Sequence, residues 1–222
     1  MFDDMRVNEL FEPGRSLAWK YLSQLEWPWE ALGQISDYIV SLGANLDESE
    51  YNILPDEVWI HKTACVAPTA FIGPRTIVGA QTEVRHCAFI RGNALIGKSA
   101  VVGNSTELKN VVLFDNVQVP HYNYVGDSIL GYKAHLGAGA ITSNVKSDSS
   151  LVSVAHGESR IETRLKKFGA VLGDFVEIGC NTVLNPGTVI GKNTNVYPLS
   201  MVRGFVPSRT IYKKQGEIAE KI

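Results

Sequence analysis

The chain has 222 residues, a formal net charge of −2 at pH 7 and 45% hydrophobic residues. This composition suits one domain with a substantial core, and the near-neutral charge offers no basic surface to nucleic acid or to a membrane. The sequence contains no apolar run of about 18 residues and no apolar signal stretch at its N-terminus, which predicts a cytoplasmic protein. Cys65, Cys87 and Cys180 form no CxxC pair, so we expect free, buried thiols in a reducing compartment.

Residues 1–56 are predicted to form a helical unit. Ser16 precedes apolar residues at helical spacing, Pro28 opens a second helix, and Gly43 ends it. We expect these helices to cover the open end of the coil that follows, where an apolar core and strand edges would otherwise be exposed. Binding of a partner is the alternative role.

From residue 60 onward the sequence repeats every six residues. An aliphatic side chain occupies each sixth position at Ile60, Val66, Ile72, Val78, Val84, Ile90, Ile96, Val102 and Leu108. This period fits neither an amphipathic helix nor a two-residue strand alternation. It is typical of hexapeptide-repeat parallel β-helices, in which each repeat is a rung of one short strand and a turn. Three rungs make a coil of 18 residues, or 17 where a rung is one residue short.

The predicted β-helix covers residues 57–207 and is interrupted by a loop insertion at 145–168, while 208–222 form a polar tail. Alternating apolar residues on either side of His156 predict a protruding β-hairpin within the insertion. The insertion also carries a basic cluster at Arg160, Arg164, Lys166 and Lys167. This cluster either binds a phosphate-bearing ligand or lies on a solvated turn.

Arg91 and Lys109 each follow an aliphatic rung residue and are 18 positions apart. One coil separates them, so we expect their backbones to stack about 4.8 Å apart on one outward face. Two cations at this distance repel each other. Either a bound phosphate lies between them, or both side chains point into solvent.

Polar residues gather on the following coils. His121 stands at a rung position that elsewhere accepts polar groups, so it is predicted to face outward; Tyr124 ends the rung, and Asn144 belongs to the next rung of the column. An imidazole beside an anion site suits a general base, although a surface histidine is often idle. His135 at another corner either assists this site or forms a turn, and Asp127 either orients a ring nitrogen or makes a turn.

Three segments resemble a known family: FIRGNALIGKSAVVGNSTELKN at 89–110, VPHYNYVGDSILG at 119–131 and HLGAGAITSN at 135–144. They are similar to the acetyltransferase half of the bifunctional N-acetylglucosamine-1-phosphate uridyltransferase/glucosamine-1-phosphate acetyltransferase. They also resemble archaeal sugar-1-phosphate nucleotidylyltransferases, which the segment IETRLKKFGAVLGD after the hairpin resembles more closely. Residues 1–56 have no counterpart in this resemblance.

The resemblance implies a left-handed parallel β-helix that forms a homotrimer with active sites between subunits. It implies that His121 is the catalytic base and that Asn144 lies near the acyl group. We expect Asn144 and Cys180 to contact the donor acetyl-CoA. The implied contacts to the sugar phosphate are Arg91, Lys109 and Tyr124, and we expect Asn144 and His135 to be further contacts of the substrate.

Two positions depart from the family pattern. His135 stands where the family has an Asn, and Val145 stands where an aromatic residue follows Asn144. These two substitutions leave open whether the acceptor is glucosamine-1-phosphate and whether the acyl donor is acetyl-CoA, as in the family. No GxGTRM-like loop precedes the coil, so we do not expect pyrophosphorylase activity.

The leading hypothesis is an acyltransferase related to UDP-N-acetylglucosamine biosynthesis. It moves an acetyl or other acyl group from CoA to an amino or hydroxyl group of a sugar-1-phosphate or nucleotide sugar. The alternative is a non-catalytic protein that binds sugar nucleotides or takes part in assembly. A zinc enzyme of the carbonic anhydrase kind is disfavoured, and no metal is expected, because the five histidines lack the HxxxxH spacing of such sites.

Overall fold

The computed structural model describes residues 2–214 and 217–220 of the chain. Of the predicted tail 208–222, positions 215, 216, 221 and 222 lie outside the described residues. The helices within the described part are α1 (Val7–Leu10), α2 (Trp19–Leu22) and α3 (Ile35–Gly43), with 3-10 helices at Asp3–Met5 and Pro28–Gly33.

The strands follow the hexapeptide period closely. Up to the insertion they are β1 (Tyr51–Leu54), β2 (Val58–His61), β3 (Cys65–Val66), β4 (Phe71–Ile72), β5 (Thr76–Val78), β6 (Glu83–Val84), β7 (Phe89–Ile90), β8 (Ala94–Ile96), β9 (Val101–Asn104), β10 (Glu107–Leu113), β11 (Gln118–His121), β12 (Tyr124–Leu130), β13 (His135–Leu136) and β14 (Ile141–Thr142). Within and after the insertion they are β15 (Ser153–His156), β16 (Ser159–Glu162), β17 (Ala170–Leu172), β18 (Glu177–Ile178), β19 (Val183–Leu184), β20 (Thr188–Ile190), β21 (Asn195–Val196), β22 (Met201–Val202), β23 (Phe205–Val206), β24 (Thr210–Lys214) and β25 (Glu217–Glu220).

Parallel pairing between successive coils arranges these strands on three faces. Face 1 consists of β3, β6, β9, β11, β13, β18, β21 and β24; face 2 consists of β4, β7, the first parts of β10 and β12, β14, β19 and β22. Face 3 consists of β2, β5, β8, the last parts of β10 and β12, β17, β20 and β23. The predicted left-handed parallel β-helix is confirmed.

The corners of the coil use a left-handed backbone conformation. Positive φ angles recur at six-residue intervals, or five at short rungs, at Arg75, Gln81, Cys87, Asn93, Ser99, Ser105, Asn110, Asn116, Tyr122, Asp127 and Lys133. Such φ values are costly for most side chains and least so for Asn and Asp. The parallel ladders and the buried aliphatic columns hold the remaining corner residues in this conformation.

The helical N-terminal unit is present, but most of it lies along the side of the β-helix rather than across its open end. The outward residue of each coil on face 3 is apolar and buried, and these residues are Trp59, Ile77, Leu95, Val112, Ile129, Val171 and Val189. Helix α3 contacts β5, β8 and β10, and the 3-10 helix at Pro28–Gly33 contacts β12. A stripe of apolar residues repeating every 17 or 18 positions, except across the insertion between Ile129 and Val171, was therefore the sequence signal for a covered side face.

The open edge of the coil is protected by strand β1 and not by the helices from which this was expected. This strand pairs antiparallel with β2, so the first strand of face 3 has a partner on its outer edge. Farther along the β-helix, the carboxylate of Asp174 accepts backbone N–H bonds from Glu12 and Tyr132, each at 2.7 Å. Burial raises the pKa of Asp174 to about 6 against the opposing effect of these two donors.

The predicted hairpin consists of β15 and β16, and it folds back onto the later coils. Val152 and Val154 are fully buried. The ring of His156 stacks on Phe205 with centroids 4.9 Å apart. The insertion is thus anchored to the β-helix by apolar contacts.

The cysteine expectation was half right. All three cysteines are free but exposed, because Cys65 is the outward residue of its strand, Cys87 stands at a corner, and Cys180 directly precedes the corner residue Asn181. None of the helices within residues 2–214 and 217–220 is both long and apolar enough to cross a bilayer.

We expect Gly43→Ala to destabilise the protein by about 1–3 kcal/mol, since its Cβ would overlap the buried indole of Trp59 and force the helical unit away from face 3. Denaturant-induced unfolding measures this change. Gly33→Ala is the matched control, because a Cβ there has no neighbour within 4 Å. Equal stability of the two variants would contradict the packing described.

Candidate active site

Arg91 and Lys109 stack as the repeat count predicted. Ile90 pairs with Leu108 in the ladder between β7 and β10, and the two cations directly follow these residues. The chain supplies a carboxylate to each cation, which neither alternative drawn from the sequence included: Glu107 Oε1 lies 2.9 Å from Arg91 and both Asp127 oxygens lie 3.0 Å from Lys109 Nζ. Binding of a phosphate by the two cations stays a prediction.

Asp127 is the centre of a polar cluster at the corner between faces 2 and 3. Its side chain is 5% exposed and that of Lys109 is 25% exposed. Besides the ammonium, the carboxylate accepts hydrogen bonds from the amides of Asn110, at 2.9 Å, and Asn144. The sequence left two roles open for Asp127, orienting a ring nitrogen or making a turn. In the structure it stands at a corner, and its carboxylate also holds three donors, Lys109, Asn110 and Asn144, from adjacent coils.

The sequence contained a signal for this cluster that was overlooked. Asn110, Asp127 and Asn144 are separated by 17 residues each, which is one coil with a short rung. Asn110 and Asp127 both occupy corners with positive φ, of 54° and 46°. Counting by coils at the corner position, as was done for Arg91 and Lys109, would have placed the three side chains together.

Tyr124 closes the cluster on the face 2 side. Its hydroxyl accepts a hydrogen bond from the Asn144 amide at 3.2 Å. Gly126 makes this possible, since a Cβ there would lie 2.5 Å from the phenol oxygen. Burial raises the pKa of Tyr124, and the carboxylates of Asp127 and Glu107 raise it further. The phenol is therefore held neutral beside the cationic pair.

His121 lies at the opposite border of face 2, where face 1 ends. Its side chain is exposed, and no hydrogen bond to the imidazole is found among the residues that the structure describes. Gly126, which stacks on Lys109, comes five positions after His121 in the chain. The two borders of face 2, at His121 and at the Asp127 cluster, are therefore at most about 17 Å apart. The histidine and the cluster share face 2 without direct contact.

Cys180 belongs to the same corner column as His121. The pairs Gln118↔His135 and His135↔Glu177 place His121, Ala138 and Cys180 in successive coils. Two coils separate the imidazole from the thiol, or roughly 10 Å of backbone. Asn144, the other predicted contact for CoA, lies across face 2, and both assignments remain predictions.

His135 is placed apart from the other predicted contacts of the substrate. It faces outward on face 1, where its Nδ1 lies 2.8 Å from Glu177 Oε2. Within one chain it does not reach Lys109 or Tyr124, because it projects from a different face of the coil. Its role in substrate binding stays a prediction.

Chemically, the borders of face 2 combine an exposed imidazole, to which the described residues make no hydrogen bond, with a fixed array of a cation, a phenol and amide donors. Histidine is the side chain that most often acts as a general base in enzymes. No group of three His, Cys, Asp or Glu side chains suited to a metal ion is found within the described residues. The arrangement fits proton transfer and electrostatic orientation of a polar substrate.

We expect Asp127→Ala to lower the free energy of unfolding by about 3–5 kcal/mol, because it leaves Lys109 partly buried without its counter-ion. Adding Lys109→Met should recover part of the loss in a double-mutant cycle. Glu83→Ala is the control: it breaks the exposed pair with Arg85 and should cost no more than about 1 kcal/mol. A similar loss of unfolding free energy in Asp127→Ala and in Glu83→Ala would show that the cluster is not a structural unit.

Comparison with known proteins supports the resemblance drawn from the sequence. The family model described as the GMPPB C-terminal domain matches residues 80–214. The "Bifunctional protein GlmU" of Methanococcus vannielii is 33% identical over 116 residues, which are 52% of this chain and 28% of that protein. A "Bifunctional sugar-1-phosphate nucleotidylyltransferase/acetyltransferase" of Sulfurisphaera tokodaii is 33% identical over 107 residues, covering 48% of this chain and 27% of that protein.

Among solved structures, the acetyltransferase domain of PglB from Neisseria gonorrhoeae in complex with acetyl coenzyme A is similar. It is 18% identical with a TM-score of 0.37, and the match covers 81% of this chain and 60% of that one. This likeness is too weak to carry an argument. The chain spans less than a third of the length of the two bifunctional relatives. The family match, by contrast, extends over more than half of the chain, and on that ground the chain belongs to the GMPPB C-terminal domain family.

Proposed function

We propose that this chain is a cytoplasmic, trimeric acyltransferase that moves an acyl group from CoA to an amino or hydroxyl group of a sugar-1-phosphate or nucleotide sugar. The observation that carries the proposal is the composition of face 2. An unpartnered imidazole borders it on one side, and a fixed array of Lys109, Tyr124 and Asn144 borders it on the other. The names of the two bifunctional relatives, one of which includes acetyltransferase activity, agree with this chemistry.

In the proposed reaction the acceptor nitrogen or oxygen attacks the thioester carbonyl carbon. The new C–N or C–O bond forms as the C–S bond breaks, and CoA leaves as a thiolate. His121 takes the proton that the acceptor loses, and then returns it to the sulfur. This general-base step accounts for a rate factor of about 10²–10⁴.

The two cations have different roles in this proposal. Arg91 and its partner Glu107 are 47% and 33% exposed, and an ion pair of this kind is weak. A substrate phosphate is therefore able to replace Glu107 at the guanidinium. Lys109 is more deeply buried with Asp127 and keeps that partner. The same carboxylate holds the amide of Asn144, which in turn donates to the Tyr124 hydroxyl, so Asp127 fixes both side chains for contact with the acceptor.

Further copies of the chain are the proposed partners at face 2. Phe71, Phe89 and Met201 project from this face with 56%, 43% and 45% of their surface exposed. Face 3 is covered by the helical unit and is not available for such contacts. Large exposed apolar side chains on one sheet face are typical of an interface. A neighbouring copy would also enclose the site that a single chain leaves open.

We expect His121→Ala to lower kcat for acyl transfer by at least about 100-fold, because the general base is lost. The assay follows thiol release from acetyl-CoA with amino-sugar phosphates and nucleotide sugars as acceptors. His86→Ala is the control: His86 stands two coils away in the same corner column and bonds to Thr69 at 2.6 Å. Acceptor binding without turnover in the unmodified protein would support the non-catalytic alternative instead.

We expect the unmodified chain to be trimeric and Phe89→Glu to be monomeric, since three buried carboxylates would face one another across the shared interface. Light scattering coupled to size-exclusion chromatography measures the mass. Ile53→Glu, at an exposed apolar position on β1 away from face 2, should leave the mass unchanged. A monomer in the unmodified chain would refute the trimer.

A further inference from the structure

A cavity of about 380 Å³ lies between the hairpin insertion and the later coils. This volume is within the range of small-ligand sites in proteins. Its charged lining residues are Lys146, Asp148, Arg160 and Arg203, and Ser143 and Ser153 add hydroxyl groups. Hairpin and β-helix both contribute walls, so the cavity exists only because the insertion folds back.

The hairpin is held in this position by close backbone contacts. Gly187 and Gly204 have φ angles of 79° and 75°, and a Cβ on either would lie 2.6 Å from a carbonyl oxygen of β15. The oxygen facing Gly204 belongs to Ala155, which is paired with Arg160 in the hairpin. Arg203 directly precedes Gly204. The backbones of the two arginines are therefore separated by little more than the width of one strand, and both are fixed before any ligand binds.

Neither Arg160 nor Arg203 has a carboxylate counter-ion within the part of the chain that the structure describes, unlike most of the arginines. Among the described residues, five of the nine arginines form ion pairs with carboxylates: Arg6, Arg15, Arg75, Arg85 and Arg91. Within the same part of the chain, no ion pair is found for Arg160 or Arg203. Lys146 donates to neutral oxygens, those of the Ser150 hydroxyl and the Leu151 carbonyl. Two like charges are thus held together on fixed elements without neutralisation.

Asp148, the single carboxylate among the lining residues, does not neutralise the cations of the cavity. Asp148 accepts hydrogen bonds from the backbone N–H of Ser150 at 2.9 Å and from its hydroxyl at 2.8 Å. These bonds keep the pKa of Asp148 below its usual value, so it remains charged. With three cations and one carboxylate, the cavity walls retain two positive charges. A compact group with about two negative charges is the complementary ligand.

We propose that this cavity binds a diphosphate group, with Arg160 and Arg203 as its two principal contacts. Guanidinium groups bind phosphate oxygens through paired, charge-assisted hydrogen bonds, and the serine hydroxyls supply further donors. The basic cluster predicted in the insertion contributes only Arg160 to the lining; Lys146 and Arg203 complete it.

The cavity continues one of the columns of the candidate active site. Gly126, stacked on Lys109, is followed in the next coils by Ser143 and Asn185 and then by Arg203. Four coils, or roughly 19 Å, separate Lys109 from Arg203. Both CoA and nucleotide sugars contain a diphosphate at some distance from their reacting group. Only the choice between these two sources rests on the proposed function.

The test is calorimetric titration of the whole chain with inorganic pyrophosphate at low salt. We expect binding that Arg160→Gln and Arg203→Gln each weaken about tenfold or more, through loss of a charge-assisted contact. Arg164→Gln is the matched control, since it removes the same charge from the insertion outside the cavity. Absence of pyrophosphate binding, or an equal loss in the control, would overturn the proposal.

Competition identifies the source of the diphosphate. Displacement of pyrophosphate by CoA assigns the cavity to the acyl donor, and displacement by UDP or GDP assigns it to the acceptor. Displacement by none of them would overturn both assignments, whereas pyrophosphate binding that depends on Arg160 and Arg203 would still support a diphosphate site. These measurements need no turnover, so they separate failure of this inference from failure of the acyltransferase proposal. Equal melting temperatures of the variants verify that they are folded.

Discussion

Every feature of this protein depends on the stacking register of its coils. Inward aliphatic residues at six-residue intervals form continuous columns, and a left-handed residue at each corner turns the chain onto the next face. A slip of one residue would turn each inward side chain outward, so the register is strongly specified. The same register brings side chains that are 17 or 18 residues apart in sequence to within about 5 Å of each other. Polar columns arise at the outer surface for this reason.

The N-terminal unit and the insertion then divide the outer surface into parts with different uses. The unit buries the apolar residues of face 3, and the insertion packs over the later coils through Val152 and Val154. Face 2 keeps exposed aromatic and polar side chains. Because face 3 is already covered, a site that is shared between copies of the chain has to form on the remaining surface. The cover on one face thereby determines where chemistry and assembly are possible.

The cations on this surface fall into two groups, those with and those without a carboxylate partner among the described residues. Arg91 and Lys109 each have a carboxylate supplied by the next coil, which makes them part of a preorganised array. Farther along, Arg203 and Arg160 have no carboxylate partner among the described residues, although their backbones are fixed closely together. A paired cation positions its neighbours, whereas an unpaired and fixed one favours an external anion. This difference separates the orienting part of the surface from the part proposed to hold a phosphate-bearing group.

The sequence by itself determined the β-helix, its rung boundaries, the stacking of Arg91 on Lys109 and the outward position of His121, because a fixed period converts counting into geometry. The same counting would have found the Asn110, Asp127 and Asn144 column. Only the tertiary structure decided that Asp127 and Glu107 neutralise the cations, that the helices cover face 3, and that Arg160 and Arg203 line one cavity. These outcomes depend on side-chain reach and on how irregular segments fold back onto the coil, and no repeat period encodes either.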